Sequence, residues 1–343
     1  MPEKVRSVPP RDWPTADHKV WTQACVPAQR LRPGGGAAHM KPSTRTSLVR
    51  AHGYLLDFCQ RNGLFDQNAE AGAHVTPEII DAFIQELYVR VRSVTRASYI
   101  GKIRRIAQIL APGRDFVWLR ELEADLRYAA RPRPKSHRIV SSERLLTLGL
   151  QLIRRGETSN HLTDLGRARL VRDGVIIALL ALCPIRLRNL AELGLGRQLR
   201  RIGETWWLIL AGDETKTGHP DERPVPEIVG EAIEQWLTHW RSVFHPSDDA
   251  FWPSIKRGAL AYTYLGHIIT ETTRRELGIA VNPHLFRDCA VYTVAINAGA
   301  RMGIASGLLQ HTNERTVQQY YNKGASLDAV RQYQQILDQL MGD

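Results

Sequence analysis

The amino-acid sequence predicts a mainly α-helical fold with one small antiparallel β-sheet, divided between two domains. Through most of the chain, apolar residues recur at spacings of three and four, which is typical of helices with one buried face. Residues 205–211 instead have the β-branched and aromatic content of a strand, and residues 223–226 form a short partner. The 343 residues, 43% of them hydrophobic, suffice for two domains and a sizeable core.

Residues 1–42 are rich in proline and glycine and predict an N-terminal arm that is partly disordered. A short helix over residues 13–24 would allow Trp13 and Trp21 to dock on a neighbouring surface. We expect the rest of this segment to be extended.

Four helices are predicted over residues 43–130, where they form a small all-helical domain. Ser43 or Thr44 caps the first helix, which stops near Gly63. Thr76 caps the second, because a proline follows it at the first helical position.

The third and fourth helices of this domain cover residues 95–110 and 116–129. Tyr99, Ile103 and Ile106 lie on one side of the third helix, which is therefore its buried face. The opposite face is basic and consists of Arg96, Lys102, Arg104 and Arg105.

Residues 131–140 interrupt the helical pattern and predict a basic linker between the domains. Its two prolines exclude a helix, and the charges of Arg131, Arg133 and Lys135 favour an extended strap. This strap either is a solvated connection or crosses the phosphate backbone of a nucleic acid, and the sequence favours neither alternative.

Residues 141–343 are predicted to form the second domain, which is mainly helical and carries the small sheet. Its first helix begins at Ser141 or Ser142, and the turn between the two strands contains Lys216. The further helices are expected over residues 175–183, 227–244, 260–277 and 283–298, near Ile304, through Tyr320 and over 327–340.

The formal charge of +11, from 46 lysines and arginines against 35 acidic residues, indicates a polyanionic partner. The alternative is that the charge serves solubility alone, since many basic proteins bind no particular ligand. The candidate nucleic-acid contacts are Arg96, Lys102, Arg104, Arg105, Arg131, Arg133 and Lys135.

The four cysteines (Cys25, Cys59, Cys183 and Cys289) lie far apart without metal-binding spacing, so we expect free thiols and no metal. No apolar stretch approaches the roughly 20 residues of a membrane span. The first residues lack the apolar region of a secretory signal. We therefore expect a cytoplasmic protein with no membrane partner.

Near the C-terminus, His284 and Arg287 are three residues apart, so on a helix their side chains share one face. Arginine offers a planar, permanently charged fork for two phosphate oxygens, and histidine adds a donor or a base. His311 follows, and nine positions later comes Tyr320, which could attack a phosphorus atom held by these groups.

Upstream, the chain has Arg186 in a Cys-Pro-Ile-Arg turn and Lys216 between the two strands. The order Arg, Lys, His-x-x-Arg, His, Tyr, with a tyrosine nine positions after the last histidine, resembles the tyrosine recombinase (phage integrase) family. The resemblance covers roughly residues 140–343 well, and the preceding region by architecture only.

This resemblance implies a helical, SAM-like core-binding domain and an integrase-type catalytic domain that form a C-shaped clamp around duplex DNA. It implies a site-specific recombinase that uses no cofactor and works as four protomers on two DNA sites, exchanging strands through a Holliday junction. We expect the task to be integration or excision of a phage or mobile element, with the protein associated with the nucleoid. The tail over residues 327–340 either folds back on its own core or docks on a neighbouring protomer, as the family favours.

The chemistry of phosphodiester transfer and the resemblance together assign six roles. Arg186 and Arg287 would clamp the phosphate, Lys216 would be the general acid and His284 the proton acceptor. His311 would donate a hydrogen bond to the phosphate, and Tyr320 would be the nucleophile. His219 is the neighbouring alternative to the lysine. Tyr321 is the rival nucleophile, but adjacent helical residues point about 100° apart, and the spacing selects Tyr320.

Two residues depart from the family pattern. Gln310 replaces the usual glycine, and Asn189 stands where many members carry an acid, which removes a candidate partner for Arg186. We interpret both as variation within the family. A type IB topoisomerase is the alternative enzyme, although such proteins usually have a longer interval before the tyrosine. A DNA-binding protein with a retired active site is the other alternative, against which the intact set of six groups argues.

Overall fold

The computed structural model describes residues 5–256 and 258–297, and the chain divides into two compact units, Met1–Pro134 and Lys135–Asp343. The described residues are mainly helical with one small sheet, so the predicted fold class is confirmed. The helices are α1 (Thr15–Ala24), α2 (Pro42–Arg61), α3 (Pro77–Arg90), α4 (Ser93–Leu110), α5 (Val117–Tyr128), α6 (Ser142–Thr158), α7 (Asp164–Leu182), α8 (Leu187–Ala191), α9 (Glu227–Gln235), α10 (Tyr262–Leu277) and α11 (Pro283–Asn297). The strands are β1 (Leu199–Ile202), β2 (Thr205–Leu210) and β3 (Asp221–Pro224).

Helices α2 to α5 build the core of the first unit from the apolar faces that the sequence predicts. Leu55 on α2, Ile100 and Ile103 on α4 and Leu119 on α5 have no exposed surface. The third predicted helix thus lies with its apolar side inward, which leaves its basic residues at or near the surface.

The two predicted helix caps have different outcomes. The Thr76 hydroxyl accepts a hydrogen bond from the backbone N–H of Ile79 at 3.3 Å, as expected for the cap of α3. Helix α2, by contrast, begins at Pro42, so neither Ser43 nor Thr44 caps it. A proline at the first helical position needs no hydrogen-bond acceptor for its nitrogen, and it starts the helix earlier than the serine and threonine suggest.

The described part of the segment expected as an arm is packed into the first unit. Trp13 is only 1% exposed, and its indole N–H donates to the carbonyl of Val8 at 2.9 Å. On α1, the buried Asp17 carboxylate lies 2.8 Å from Nε2 of His52 and accepts the backbone N–H of Gly72 at 2.7 Å. The described N-terminal residues therefore pack against the helices of the first unit, whereas the sequence predicts an extended arm.

Helices α6 and α7 form the centre of the second unit and approach closely at two glycines. A Cβ on Gly149 would lie 2.7 Å from the backbone nitrogen of Ala178, and one on Gly174 would lie 2.6 Å from the carbonyl oxygen of Gly149. Such distances are too short for any side chain. The long apolar run of α7 is therefore buried against α6 and the elements around it.

The sheet has three strands in the order β1-β2-β3, and both pairs are antiparallel. Strands β2 and β3 correspond to the predicted pair, with Leu208 opposite Arg223 and Leu210 opposite Asp221. The third strand, β1, was missed because three of its four residues are exposed and two are arginines, so it lacks an apolar pattern. Lys216 lies in the connection between β2 and β3, as predicted.

One predicted helix changes its hydrogen-bond pattern along its length. Helix α9 continues as a π-helical turn over Trp236–Trp240 and as a 3-10 turn over Arg241–Phe244. Trp236 is fully buried, and its indole N–H donates to the Phe251 carbonyl at 3.2 Å. Within the described ranges, no helix combines the length and the apolar character that crossing a membrane requires.

Replacing Trp13 with alanine should destabilise the first unit by about 3 to 5 kcal/mol, the usual cost of removing a buried aromatic side chain. Trp13→Phe keeps most of the packing but loses the indole N–H, so its cost should be smaller. Denaturant unfolding of the full chain measures both variants. An alanine variant with an unchanged unfolding transition would show that the N-terminal segment contributes nothing to the packed unit.

Candidate active site around Arg287

Four of the six predicted catalytic residues lie in the described part of the chain. They are Arg186, Lys216, His284 and Arg287, and all belong to the second unit. His311, Tyr320 and the tail over 327–340 lie outside the described residues. The described part of the site therefore consists of these four residues and the groups that surround them.

Arg287 is the buried centre of this site. It lies one turn into α11 with only 6% of its surface exposed, and Nη1 donates to the carbonyl of Pro184 at 2.6 Å. Burial lowers the pKa of Arg287 to about 10, and the nearby charges of Arg186 and Arg223 act in the same direction. The guanidinium therefore remains charged at neutral pH, although burial disfavours its charged form.

Arg186 is held beside Arg287 by the turn that precedes α8. Pro184, whose carbonyl accepts the bond from Arg287, is two residues before Arg186, which is itself the N-cap residue of α8. Arg186 is half-buried, and its charge contributes to the lowered pKa of Arg287. Two guanidinium groups therefore lie close enough to repel each other, an arrangement that favours binding of an anion between them.

An ion pair on β3, between the half-buried Arg223 and the buried Asp221, acts on the charge of Arg287. Arg223 donates from Nε and Nη2 to the two carboxylate oxygens of Asp221, each at 2.8 Å. The carboxylate opposes the lowering of the pKa of Arg287, whereas Arg223 adds to it. This pair was not predicted from the sequence, although residues two apart in a strand share one face, which was the available signal.

Lys216 is exposed in the turn between β2 and β3, and this turn is tied to the elements beside it. The carboxylate of Glu214 accepts the backbone N–H of Ala211 at 2.7 Å and also accepts from the side-chain amide of Gln198. Asn189 on α8 donates to the carbonyl of Glu214 at 3.5 Å. Asn189, the residue that departs from the family pattern, thus contacts the turn that carries Lys216.

His284 lies at the start of α11, where the side-chain oxygen of Asn282 accepts the backbone N–H of Leu285 at 3.1 Å. Although part of the ring is open to solvent, desolvation of the rest lowers the pKa of His284. Asp288 raises this pKa, while Lys135, Arg287 and Lys216 lower it further. The charges of Lys216 and Arg287 therefore both reach His284.

The linker residue Lys135 also lies at this site. Its ammonium nitrogen is 3.5 Å from Oδ2 of Asp288, a buried carboxylate on the turn of α11 that follows His284. Lys135 is predicted from the sequence as a nucleic-acid contact on an extended strap, whereas the structure pairs it with this carboxylate. Asp288 itself was missed, because nothing in its sequence neighbourhood marks a buried acid.

The candidate contacts in the first unit differ in how their charges are engaged. Arg104 donates from Nε to Glu123 at 2.7 Å, and Glu123 is buried against Gly101. The guanidinium of Arg96 stacks over the ring of Tyr88 at 3.7 Å. The side chains of Arg105, Arg131 and Arg133 are exposed, and Lys102 is half-buried.

The described cysteines and acids form no metal centre that could assist the site. No group of three or more His, Cys, Asp or Glu residues within 5–256 and 258–297 could hold a metal ion. Cys59, Cys183 and Cys289 are buried free thiols. Burial raises the pKa of each, to about 12 for Cys59 and about 11 for the other two, so none is a reactive thiolate at neutral pH.

Residues 158–326 match the model of the phage integrase family. Three solved structures share the fold. The XerH site-specific recombinase bound to its difH substrate has 12% identity and a TM-score of 0.54, over 81% of this chain and 76% of that one. The lambda integrase dimer bound to a core site has 14% identity and a TM-score of 0.53, over 83% of this chain and 90% of that one. The Tn1549 transposon integrase with transposon right-end DNA has 10% identity and a TM-score of 0.53, over 91% of this chain and 98% of that one. No curated protein matches the chain.

The charges around His284 predict two opposite shifts of its pKa. Asp288→Asn removes a negative charge and should lower the pKa further, whereas Lys135→Gln removes a positive charge and should raise it. An NMR titration of the His284 ring, assigned with a His284→Asn variant, measures both. Shifts in the same direction would contradict the electrostatic account.

Proposed function

We propose that this chain, which belongs to the phage integrase family, cuts and rejoins DNA at specific recombination sites through a 3′-phosphotyrosine intermediate. The chain is an enzyme of the tyrosine-type site-specific recombinase class. The observation that carries the proposed mechanism is the meeting of Arg186, Lys216, His284 and Arg287 at one place in the second unit.

In the proposed mechanism, Arg186 and Arg287 bind the non-bridging oxygens of the scissile phosphate. Charge builds up on these oxygens in the pentavalent transition state, and two fixed guanidinium groups stabilise it. The position of Arg287 supports this role, because its guanidinium is held by the carbonyl of Pro184 in the turn that carries Arg186. Arg223 lies near enough to strengthen the same positive potential.

Proton transfer is assigned to Lys216 and His284. Lys216 would protonate the departing 5′ oxygen of DNA, and its exposed position on a turn leaves it accessible to bound substrate. His284, with its lowered pKa, is largely neutral at pH 7 and can accept a proton from the attacking phenol. The sequence alone assigns His311 as a hydrogen-bond donor to the phosphate and Tyr320 as the nucleophile.

Attack by the Tyr320 oxygen would form a phosphorus–oxygen bond to the 3′ phosphate and release the 5′ hydroxyl, protonated by the general acid. The covalent intermediate keeps the energy of the broken phosphodiester, so rejoining requires no nucleotide hydrolysis. Attack by a 5′ hydroxyl from the partner DNA would then complete strand exchange and regenerate the tyrosine.

The assembly proposed for this reaction follows the family. Four protomers would hold two DNA sites, with the two domains forming a C-shaped clamp around the duplex, and strands would exchange through a Holliday junction. The tail over 327–340 would dock on a neighbouring protomer. The candidates with exposed side chains, Arg105, Arg131 and Arg133, would contact the DNA backbone. Integration or excision of a phage or mobile element in the nucleoid would be the biological task.

Tyr320→Phe should abolish covalent attachment to DNA while DNA binding persists, because the ring remains and only the attacking oxygen is removed. The substrate is a nicked duplex carrying the site footprinted on DNA that flanks the gene, and the covalent adduct is counted by denaturing electrophoresis. Tyr321→Phe is the matched control and should form the adduct normally. Adduct in Tyr320→Phe but not in Tyr321→Phe would move the nucleophile by one residue.

Lys216→Ala should slow cleavage by roughly 10²- to 10⁴-fold, the usual contribution of general acid catalysis. A substrate with sulfur in place of the departing 5′ oxygen needs no proton, so this variant should cleave it at nearly the wild-type rate. Arg186→Ala should stay slow on both substrates, because it acts on the non-bridging oxygens. If sulfur fails to rescue Lys216→Ala, the acid is another residue, and His219 is then the first to test.

A further inference from the structure

The turn that carries Lys216 is organised around the hydroxyl group of Thr215. Oγ1 of Thr215 lies 3.0 Å from the carbonyl oxygen of Gly212 and 2.8 Å from that of His219. The same oxygen accepts the backbone N–H of Gly218 at 3.1 Å. One hydroxyl therefore joins both legs of the turn, since it can donate to either carbonyl while it accepts from the amide.

Thr215 and Lys216 are adjacent in the chain but face different surroundings. Thr215 is only 2% exposed, whereas Lys216 points into solvent. A buried hydroxyl is costly unless it is hydrogen-bonded, so the contacts to Gly212, Gly218 and His219 hold Thr215 in the interior of the turn. Because the side chain of Thr215 is held inside the turn, the side chain of Lys216 is directed outward.

The backbone closes around this hydroxyl at two glycines. A Cβ on Gly212 would lie 2.6 Å from the carbonyl oxygen of Gly218, so the two legs are in direct backbone contact at that level. Gly218 has a φ of 81°, a conformation that other residues rarely adopt. The turn is therefore a closed loop with Thr215 inside it, and its residues are expected to move together.

We propose that Thr215 is a positioning residue for the cleavage reaction, because its hydroxyl holds the turn in the conformation that presents Lys216. This inference rests on the proposed role of Lys216. A general acid must come within hydrogen-bonding distance of the leaving oxygen, and a turn without its internal bonds would hold the lysine there for a smaller fraction of the time.

The variant that tests this inference is Thr215→Val, which keeps the shape of the side chain and removes the hydroxyl. It should slow cleavage of the ordinary phosphodiester by about 10- to 100-fold, in keeping with the loss of buried hydrogen bonds. Thr215→Ser restores the hydroxyl and should recover most of the rate. On the 5′-sulfur substrate, Thr215→Val should cleave at nearly the wild-type rate, as a residue that acts only through the acid must.

Thr217→Val is the matched control on the other side of Lys216. Among the described residues, the buried hydroxyl of Thr217 has no hydrogen-bond partner, so its removal leaves the turn intact. This variant should cleave both substrates normally. A loss as large as that of Thr215→Val would show that any change beside the lysine is harmful, and it would overturn the inference.

Two further measurements separate this inference from the proposed acid role. Hydrogen exchange at the Gly218 amide should be faster in Thr215→Val, because that amide loses its acceptor. Adding Thr215→Val to Lys216→Ala should cost little more than Lys216→Ala alone, since one residue acts through the other.

The combined outcomes are distinct. Unchanged exchange, additive losses, or a Thr215→Val variant that stays slow on the sulfur substrate while Lys216→Ala is rescued would each overturn the positioning role. If sulfur rescues neither variant but their losses are still non-additive, the acid role fails while the positioning of Lys216 by Thr215 stands.

Discussion

The site depends on the burial of one cation, Arg287. Taking a guanidinium out of water costs several kcal/mol unless hydrogen bonds and opposite charges compensate for it. Arg287 obtains part of this compensation from the carbonyl of Pro184, which is 103 residues earlier in the chain. Because that carbonyl belongs to the turn before α8, the same bond that makes the buried charge tolerable also fixes the position of Arg186.

Burial and the neighbouring charges both act on the ionised form of Arg287. Burial is the main cause that lowers the pKa of Arg287 to about 10. The charges of Arg186 and Arg223 add to this lowering, and those of Asp221 and Asp288 oppose it. A phosphate bound there as proposed would meet guanidinium groups that are already in place.

Much of this site could be predicted from the sequence, because its residues are fixed by spacing. Arg287 follows His284 by three positions on a helix, and Lys216 sits between two segments with strand character, so each was placed on the right element. Asp221, Arg223 and Asp288 could not be found in this way. A charged residue in a short strand or a helix looks like a surface residue until tertiary packing buries it. Strand β1 was missed for a related reason, since its pairing with β2 supplies the order that its own side chains do not indicate.

The packed N-terminal segment makes the first unit larger than its helical pattern suggests. Val8, Trp13, Trp21 and Ala24 share one apolar cluster with Leu48, Leu56, Ile106 and Leu110 on α2 and α4. A fragment cut at residue 43, where the regular helices begin, would leave half of that cluster facing water. Anyone who expresses this unit separately or transplants it must therefore carry residues 5–42 along as part of the module.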